Sequence, residues 1–291
     1  SEKAEELSTS TPYGIGSTSK MFTTAAVMYL VDKGLVDLDK PVSEYIPQFT
    51  MKDERYKQIT VRMLLNHSSG FMGSVYAQGP TYNHPDTANH DNILKELSGQ
   101  MLKADPGAFS VYCNDGFTLA ELVVENISKM SFTQFVRLFI IDPLKLQSTF
   151  TPQDSFEKSR LAATFVNGIR TPGETFNMIG TGGMYSTAED LCRFGQIFMD
   201  NSGYSPAGLI LSQKTKDETF SKEYSKGVWP VQTDNIAGFG LGWDSVDLYP
   251  YNRYSICAVS KGGDTGLYHS SLVVLAEYNI AFAVTFSGGS S

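Results

Sequence analysis

Gly14-Ile15-Gly16-Ser17-Thr18-Ser19-Lys20 runs directly into Met21-Phe22-Thr23-Thr24-Ala25-Ala26-Val27-Met28-Tyr29-Leu30-Val31, and the reading of the whole chain turns on this junction. The segment from Met21 to Lys33 is apolar on most sides. A helix without a polar face is a buried central helix, and Gly34 supplies its C-terminal stop. Ser17 and Lys20 therefore stand at the head of a buried helix, on one face and about one turn apart. The helix dipole and free N–H groups there favour a developing anion. A serine hydroxyl is a weak nucleophile until a base takes its proton, and lysine serves once burial or a second cation lowers its pKa. Ser-x-x-Lys is a short signature. Taken alone, it also describes a solvated helix start with a surface lysine, so the rest of the chain has to supply the remainder of a site.

Composition sets the frame. The chain has 291 residues, 41% hydrophobic and 19% charged, with a net charge of −8. This fits a globular protein with a sizeable core. We expect a single catalytic domain over residues 1–291, helical over about 20–235, with the sheet formed by about 236–291 plus the N-terminal segment. There is no basic run or Lys/Arg stripe, which disfavours a nucleic-acid partner. The acidic balance gives no reason to expect attachment to an anionic membrane. Cys113, Cys192 and Cys257 are odd in number and widely spaced, neither a disulfide framework nor a zinc pattern. No signal peptide is visible at Ser1-Glu2-Lys3. The apolar stretch from Leu272 to Phe286 is broken by Glu277-Tyr278-Asn279 and reads as two strands and a turn, not a membrane span.

Capping boxes mark further helices: Thr118-x-x-Glu121, Ser131-x-x-Gln134 and Ser186-x-x-Glu189, each ahead of apolar residues at helical spacing. Core packing explains those stripes. Between roughly 70 and 110, and again between 200 and 236, periodicity is lost and long surface loops are expected. Tyr254 to Ser260, Ser271 to Ala276 and Ile280 to Phe286 read as consecutive antiparallel strands. Helices in the middle and strands at the end make the fold class α+β.

Two more motifs carry chemistry. Tyr112-Cys113-Asn114 follows Pro106-Gly107 and precedes a helix, and a tyrosine and asparagine two apart can reach one cavity. A buried tyrosine beside a turn-forming asparagine is the plain alternative. Lys261-Gly262-Gly263 ends the Tyr254–Ser260 strand, where glycines let a ligand approach closely. A turn with an exposed lysine is the alternative there.

This ordered set resembles the penicillin-recognising serine hydrolases, most closely the branch of class C β-lactamases, D-alanyl-D-alanine carboxypeptidases and related esterases. The likeness spans nearly the whole chain. It includes Ile59 to Gly70 (ITVRMLLNHSSG), Pro106-Gly107, Gly182-Gly183-Met184-Tyr185-Ser186-Thr187-Ala188-Glu189-Asp190-Leu191, and Gly238-Phe239-Gly240-Leu241-Gly242-Trp243. The resemblance implies a β-lactamase/transpeptidase-like fold: an antiparallel sheet flanked by helices, with a largely helical second region. It implies Ser17 as the acyl-accepting nucleophile. Lys20 and Tyr112 share the base role in an order left open, Tyr112 possessing a pKa depressed by two ammonium groups. Asn114 orients the substrate amide and the Lys20 head group. Lys261, with Gly262 and Gly263, holds a substrate carboxylate. The backbone N–H groups of Ser17 and Asp264 form the oxyanion hole. It implies no cofactor and no metal, a small-molecule or peptide substrate with a carbonyl to be acyl-transferred, and an exported, bacterial setting.

Two departures qualify the match. Gly262 stands where lactamase and peptidase members carry a threonine or serine hydroxyl, and Asp264 adds a negative charge beside the expected oxyanion donor. The family's first strands and closing helix are not evident, so an unpaired edge and exposed apolar surface are expected. Rival readings are a Ser-His-Asp triad through His67, against a structural histidine at a helix-to-loop corner; a metal site at His84-x5-His90-Asp91; and a non-hydrolytic penicillin or cell-wall-peptide sensor acylated without turnover. His269 reads as a strand or turn residue.

Overall fold

The computed structural model describes residues 7–74, 81–82, 88–176, 178–199, 210–223 and 238–288. In chain order the helices are α1 (Ser19–Asp32), α2 (Val42–Tyr45), α3 (Val61–Leu65), α4 (Ala88–Ser98), α5 (Asn114–Ser128), α6 (Phe132–Val136), α7 (Ala188–Gly195) and α8 (Gln213–Thr219). The strands are β1 (Tyr13–Gly14), β2 (Thr81–Tyr82), β3 (Phe165–Val166), β4 (Ile169–Arg170), β5 (Glu174–Thr175), β6 (Tyr185–Ser186), β7 (Val259–Asp264), β8 (Tyr268–Leu275) and β9 (Ile280–Ser287). The three long strands form one antiparallel sheet in the order β7-β8-β9, and the short ones pair β1 with β6, β2 with β5 and β3 with β4. The class is α+β, as expected.

Every residue from Ser19 to Met28 of α1 is buried. The helix packs against α5 and, by Phe22 stacked on Phe194 at 3.9 Å between centroids, against α7. α7 lies in turn on the sheet. A Cβ on its Gly195 would come within 2.9 Å of the Ala281 methyl and 3.3 Å of Val274. Helix and sheet therefore approach as closely as a missing side chain allows. α1 ends as expected at Gly34, whose φ is +68°.

Strand β9 alternates strictly. Ala281 and Ala283 pack on the core, while Ile280, Phe282, Val284 and Phe286 are exposed. Among the described residues β9 is the outer strand of the sheet, so the expected edge and apolar face are both found there.

Several local expectations are corrected. The first long strand starts at Val259, not Tyr254. Tyr251–Tyr254 is a 3-10 turn closed by Ser255 at φ +56°, so Lys261-Gly262-Gly263 lies within the strand, not at its end. Thr118 does not cap a helix. α5 already begins at Asn114, and the Thr118 hydroxyl lies against that of Thr181 at 3.2 Å. Thr187 rather than Ser186 caps α7, its side chain accepting from the Asp190 N–H. Ser131 and Gln134 do form the reciprocal box. The stretch expected as loop over 70–110 contains α4, anchored by buried Ile93 and Leu97 at i, i+4 spacing. The stretch over 200–236 contains α8, and its remainder lies largely outside the described residues.

Candidate active site

Ser17 sits in a 3-10 turn, Gly16–Thr18, immediately ahead of α1. Two glycines let strand β7 dock on this turn. Gly16 has φ +48°, and a Cβ there would stand 2.6 Å from the Asp264 backbone nitrogen. A Cβ on Gly263 would stand 2.0 Å from the Ile15 carbonyl oxygen and 2.7 Å from the Thr18 nitrogen. No residue but glycine fits this crossing. Ser270 on β8 fixes it, donating to the Ile15 carbonyl at 2.7 Å and meeting the Thr18 hydroxyl at 2.8 Å. The backbone of Asp264 is thereby held against the nucleophile turn.

Lys20 is wholly buried. Its Nζ donates to Ser17 Oγ at 3.1 Å and to the Thr181 carbonyl at 2.7 Å. Burial pushes its pKa well below the ordinary lysine value. The Lys261 ammonium adds to that effect, and Asp244 opposes it. A lysine so placed spends more time as the neutral amine, and the same Ser17 contact then reverses, with the hydroxyl donating to nitrogen.

Tyr112 closes the pair. Its ring lies 4.9 Å from Lys20 Nζ and 5.3 Å from Lys261 Nζ, measured to the centroid, and its hydroxyl lies 3.5 Å from Lys261 Nζ. Beneath it, His67 packs at 4.4 Å between rings and also touches Phe117 and Phe239. His67 has φ +63°, and its Nδ1 accepts the Cys113 N–H at 3.2 Å. Burial drives its pKa down, and Lys20 and Lys261 drive it further. It is a neutral, structural histidine at the end of α3, as the plainer sequence reading had it, and it supports the tyrosine ring. Asn114, nearly buried at the head of α5, receives the Thr181 hydroxyl on its carbonyl at 3.2 Å.

Lys261 is 1% exposed. Its Nζ contacts both carboxylate oxygens of Asp244, at 2.8 and 2.9 Å, and the Gly262 carbonyl at 2.8 Å. Asp244 Oδ2 also accepts the Gly262 N–H at 2.9 Å. Asp244 was not singled out in the sequence. It follows Trp243 of a recognised motif, but nothing in the spacing ties it to Lys261. The link is made by Asp244-Ser245 running beside Ser260, with the Asp244 N–H donating to the Ser260 carbonyl at 2.9 Å. The Asp264 carboxylate bonds His269 Nδ1 at 2.6 Å, and His269 stacks on half-exposed Phe286. Burial would lower the His269 pKa, but the Asp264 bond and the Gly288 carbonyl outweigh it and raise it. The acid beside the expected oxyanion donor is thus engaged with His269.

Ser17, Tyr112, Asn114 and Asp264 line one cavity of about 260 Å³, together with Phe176, Thr181, Gly182, Thr265 and Gly266. The structure brings all four lining candidates to one place, with Lys20 and Lys261 buried beside them. Sequence reading missed Thr181, whose signal was its position next to Gly182-Gly183. It also missed Glu174, a buried carboxylate that accepts from the Thr265 hydroxyl at 2.6 Å and the Gly266 N–H at 2.9 Å and so pins the β7–β8 turn.

Of the rival metal reading at His84-x5-His90-Asp91, His84 lies outside the described residues, and the group of possible ligands that includes His90 does not include Asp91. His90 instead faces Glu121 through Nδ1 at 2.9 Å and Glu125 through Nε2 at 3.1 Å. These three offer ligand atoms within 4.8 Å of one another. The two ring nitrogens point to different carboxylates, however, and one ion reaches only one of them. The arrangement suits an imidazolium clamped between two acids.

A half-buried serine that lines the cavity, paired with a buried lysine and backed by a tyrosine and a second lysine at one end of a sheet, is the arrangement of a serine-hydrolase class of protein. Within it, the chain belongs to the Beta-lactamase family, whose model matches residues 1–291. It is 25% identical to "Penicillin-binding protein 4" of Amycolatopsis lactamdurans, over 97% of this chain and 74% of that protein. It is 27% identical to "Protein flp" of Staphylococcus aureus over 65% of this chain, but spans only 39% of that relative's length. Its fold is that of a D-stereospecific amidohydrolase from Streptomyces sp., with a TM-score of 0.76 and 24% identity over 98% of this chain and 85% of the other. The D-amino acid amidase of Ochrobactrum anthropi, solved with D-phenylalanine, gives a TM-score of 0.76 at 20% identity over 99% of this chain and 90% of the other. Among the described residues no helix is long and apolar enough to cross a membrane.

Proposed function

We propose that residues 1–291 act as one catalytic domain that hydrolyses small amides or esters through an acyl-enzyme on Ser17. One observation carries this reading: the Lys20 amine, buried and lowered in pKa, lies 3.1 Å from Ser17 Oγ beside the cavity. In this reading Ser17 Oγ attacks the substrate carbonyl while its proton passes to Lys20 or Tyr112. The oxyanion is held by the backbone N–H groups of Ser17 and Asp264. The leaving amine or alcohol departs with a proton relayed by Tyr112, and Asn114 holds the acyl-side amide. Water then attacks the ester on Ser17, delivers its proton to the same base, and releases the acid. The similarity to a D-stereospecific amidohydrolase and to a D-amino acid amidase supports small D-amino-acid amides among the substrates. Relatives from bacteria support a bacterial setting, and export belongs to the same reading.

The test is to incubate the protein with a p-nitrophenyl ester, D-phenylalanine amide, a fluorescent penicillin and a chromogenic cephalosporin, following product and intact mass together. The expected result is turnover of the ester and the amide with a transient adduct on Ser17. A permanent adduct without turnover would support the sensor reading. No adduct and no product with any reagent, from a folded sample, would overturn the acyl-transfer reading.

A further inference from the structure

Resting on that reading, we propose that Asp244 is a specificity residue that cancels carboxylate recognition at Lys261, so that the substrate is neutral where its leaving group meets β7. An ammonium has three hydrogens and no acceptor. Around Lys261 Nζ, the Asp244 carboxylate takes one, the Gly262 carbonyl a second, and the Tyr112 hydroxyl lies along the third at 3.5 Å. No hydrogen is left for an incoming anion. The lysine is 1% exposed, so an anion cannot reach it without displacing Asp244. Asp244 is itself locked by the Gly262 N–H at 2.9 Å.

Charge points the same way. The Lys261 and Asp244 charges cancel, and the Asp244 side chain keeps 34% of its surface exposed. Among the described residues, a substrate carboxylate at this edge meets a fixed negative group and a lysine already paired with it. Position 262 adds a second, independent feature. A Cβ there would lie 3.6 Å from Asp244 Oδ2, in ordinary contact, so the backbone accepts a side chain's first atom but the chain has glycine. Position 262 thus offers a carboxylate no hydroxyl, and the Lys261 ammonium is already engaged by Asp244 and the Gly262 carbonyl. The substrate class is therefore an amide or ester whose leaving group carries no negative charge.

The experiment compares 3-acetoxybenzoate with methyl 3-acetoxybenzoate, two aryl esters that differ in the charge on the leaving group. Release of the phenol is followed for wild type, Asp244→Asn and Asp244→Ser. Wild type is expected to favour the methyl ester by tenfold or more in kcat/KM. Asp244→Asn removes the negative charge, Asp244→Ser also withdraws the acceptor from Lys261, and each is expected to shift the ratio toward the carboxylate by at least tenfold. Circular dichroism and thermal melting identify a variant that fails to fold, which is why two are made. A parallel arm measures binding of phenylacetate and phenylacetamide by calorimetry, and the same shift is expected there without turnover. The proposal is overturned if wild type accepts the carboxylate as well as its ester, or if folded variants leave both ratios unchanged. Loss of turnover in every protein with the binding shift intact would instead count against the acyl-hydrolase reading alone.

Discussion

Replacing His90 by glutamine should cost the fold about 3–5 kcal/mol near neutral pH, and the cost should fade as pH rises. Removing one member of a buried ion pair leaves an uncompensated charge, and such losses are about this size. Here the member lost is, among the described residues, the cation paired with two carboxylates, one of them, Glu121, wholly buried. Burial alone would lower the imidazole pKa, but Glu121 and Glu125 outweigh it and push the value up to about 11. At 1.36 kcal/mol per pH unit, the displacement from 6.5 to about 11 sets a ceiling of about 6 kcal/mol on what the imidazolium contributes. Because the folded value lies above the unfolded one, the contribution is full below about pH 6.5, declines as pH rises and is gone near pH 11. Urea unfolding of wild type and His90→Gln at pH 6, 8 and 9.5 measures it, since groups common to both proteins cancel in the difference. The expected difference is about 3–5 kcal/mol at pH 6 and under about 2 at pH 9.5. A difference that stays flat with pH, or one below about 1 kcal/mol at pH 6, would falsify the clamp.

Other consequences follow from the site. Ser17→Ala should lose all covalent labelling by a p-nitrophenyl ester while its melting temperature stays within a few degrees of wild type, as intact mass and calorimetry would record. With Lys20 as the base, the acid limb of the kcat/KM profile should lie well below pH 10.5, the ordinary lysine value, because its pKa is lowered. Asp244 raises the Lys20 value, so Asp244→Asn should move that limb to lower pH; a limb that stays put, or moves upward, contradicts the assignment. Gly263→Ala places a methyl 2.0 Å from the Ile15 carbonyl oxygen and should cost about 3 kcal/mol or more, read as a drop in denaturation midpoint. The Cys113 thiol, buried and pushed up to about 12, should resist Ellman's reagent in the native protein and react only on unfolding.

What could be read from the sequence was whatever depends on one segment at a time. α1 was legible because an all-apolar helix has only one place to go, and Ser17 and Lys20 at its head inherit their contact from helix geometry. β9 was legible because its alternation is unbroken. The misreadings arose where a local signal has two meanings. Thr118-x-x-Glu121 is a capping pattern that also occurs inside helices, and here α5 had already started at Asn114. α4 hides two core residues, Ile93 and Leu97, in a run of Asn, His and Asp that reads as loop.

Asp244 shows a different limit, because its meaning lies in a contact between strand β7 and a segment bridged to it. A lysine in the third motif tells the reader that a cation is present, and by resemblance that it binds an anion. Whether it does so depends on what else its three hydrogens touch, and that is set by Asp244-Ser245 lying beside Ser260 across the sheet edge. Without that pairing the same Lys-Gly-Gly would present a bare ammonium to the cavity. With it, the ammonium is a support for Tyr112 and for the Gly262 backbone. On the proposed reading, the nucleophile and its base lie a few positions apart in the sequence, whereas the choice of substrate would rest on a counter-charge 17 residues upstream that only the folded register brings into reach.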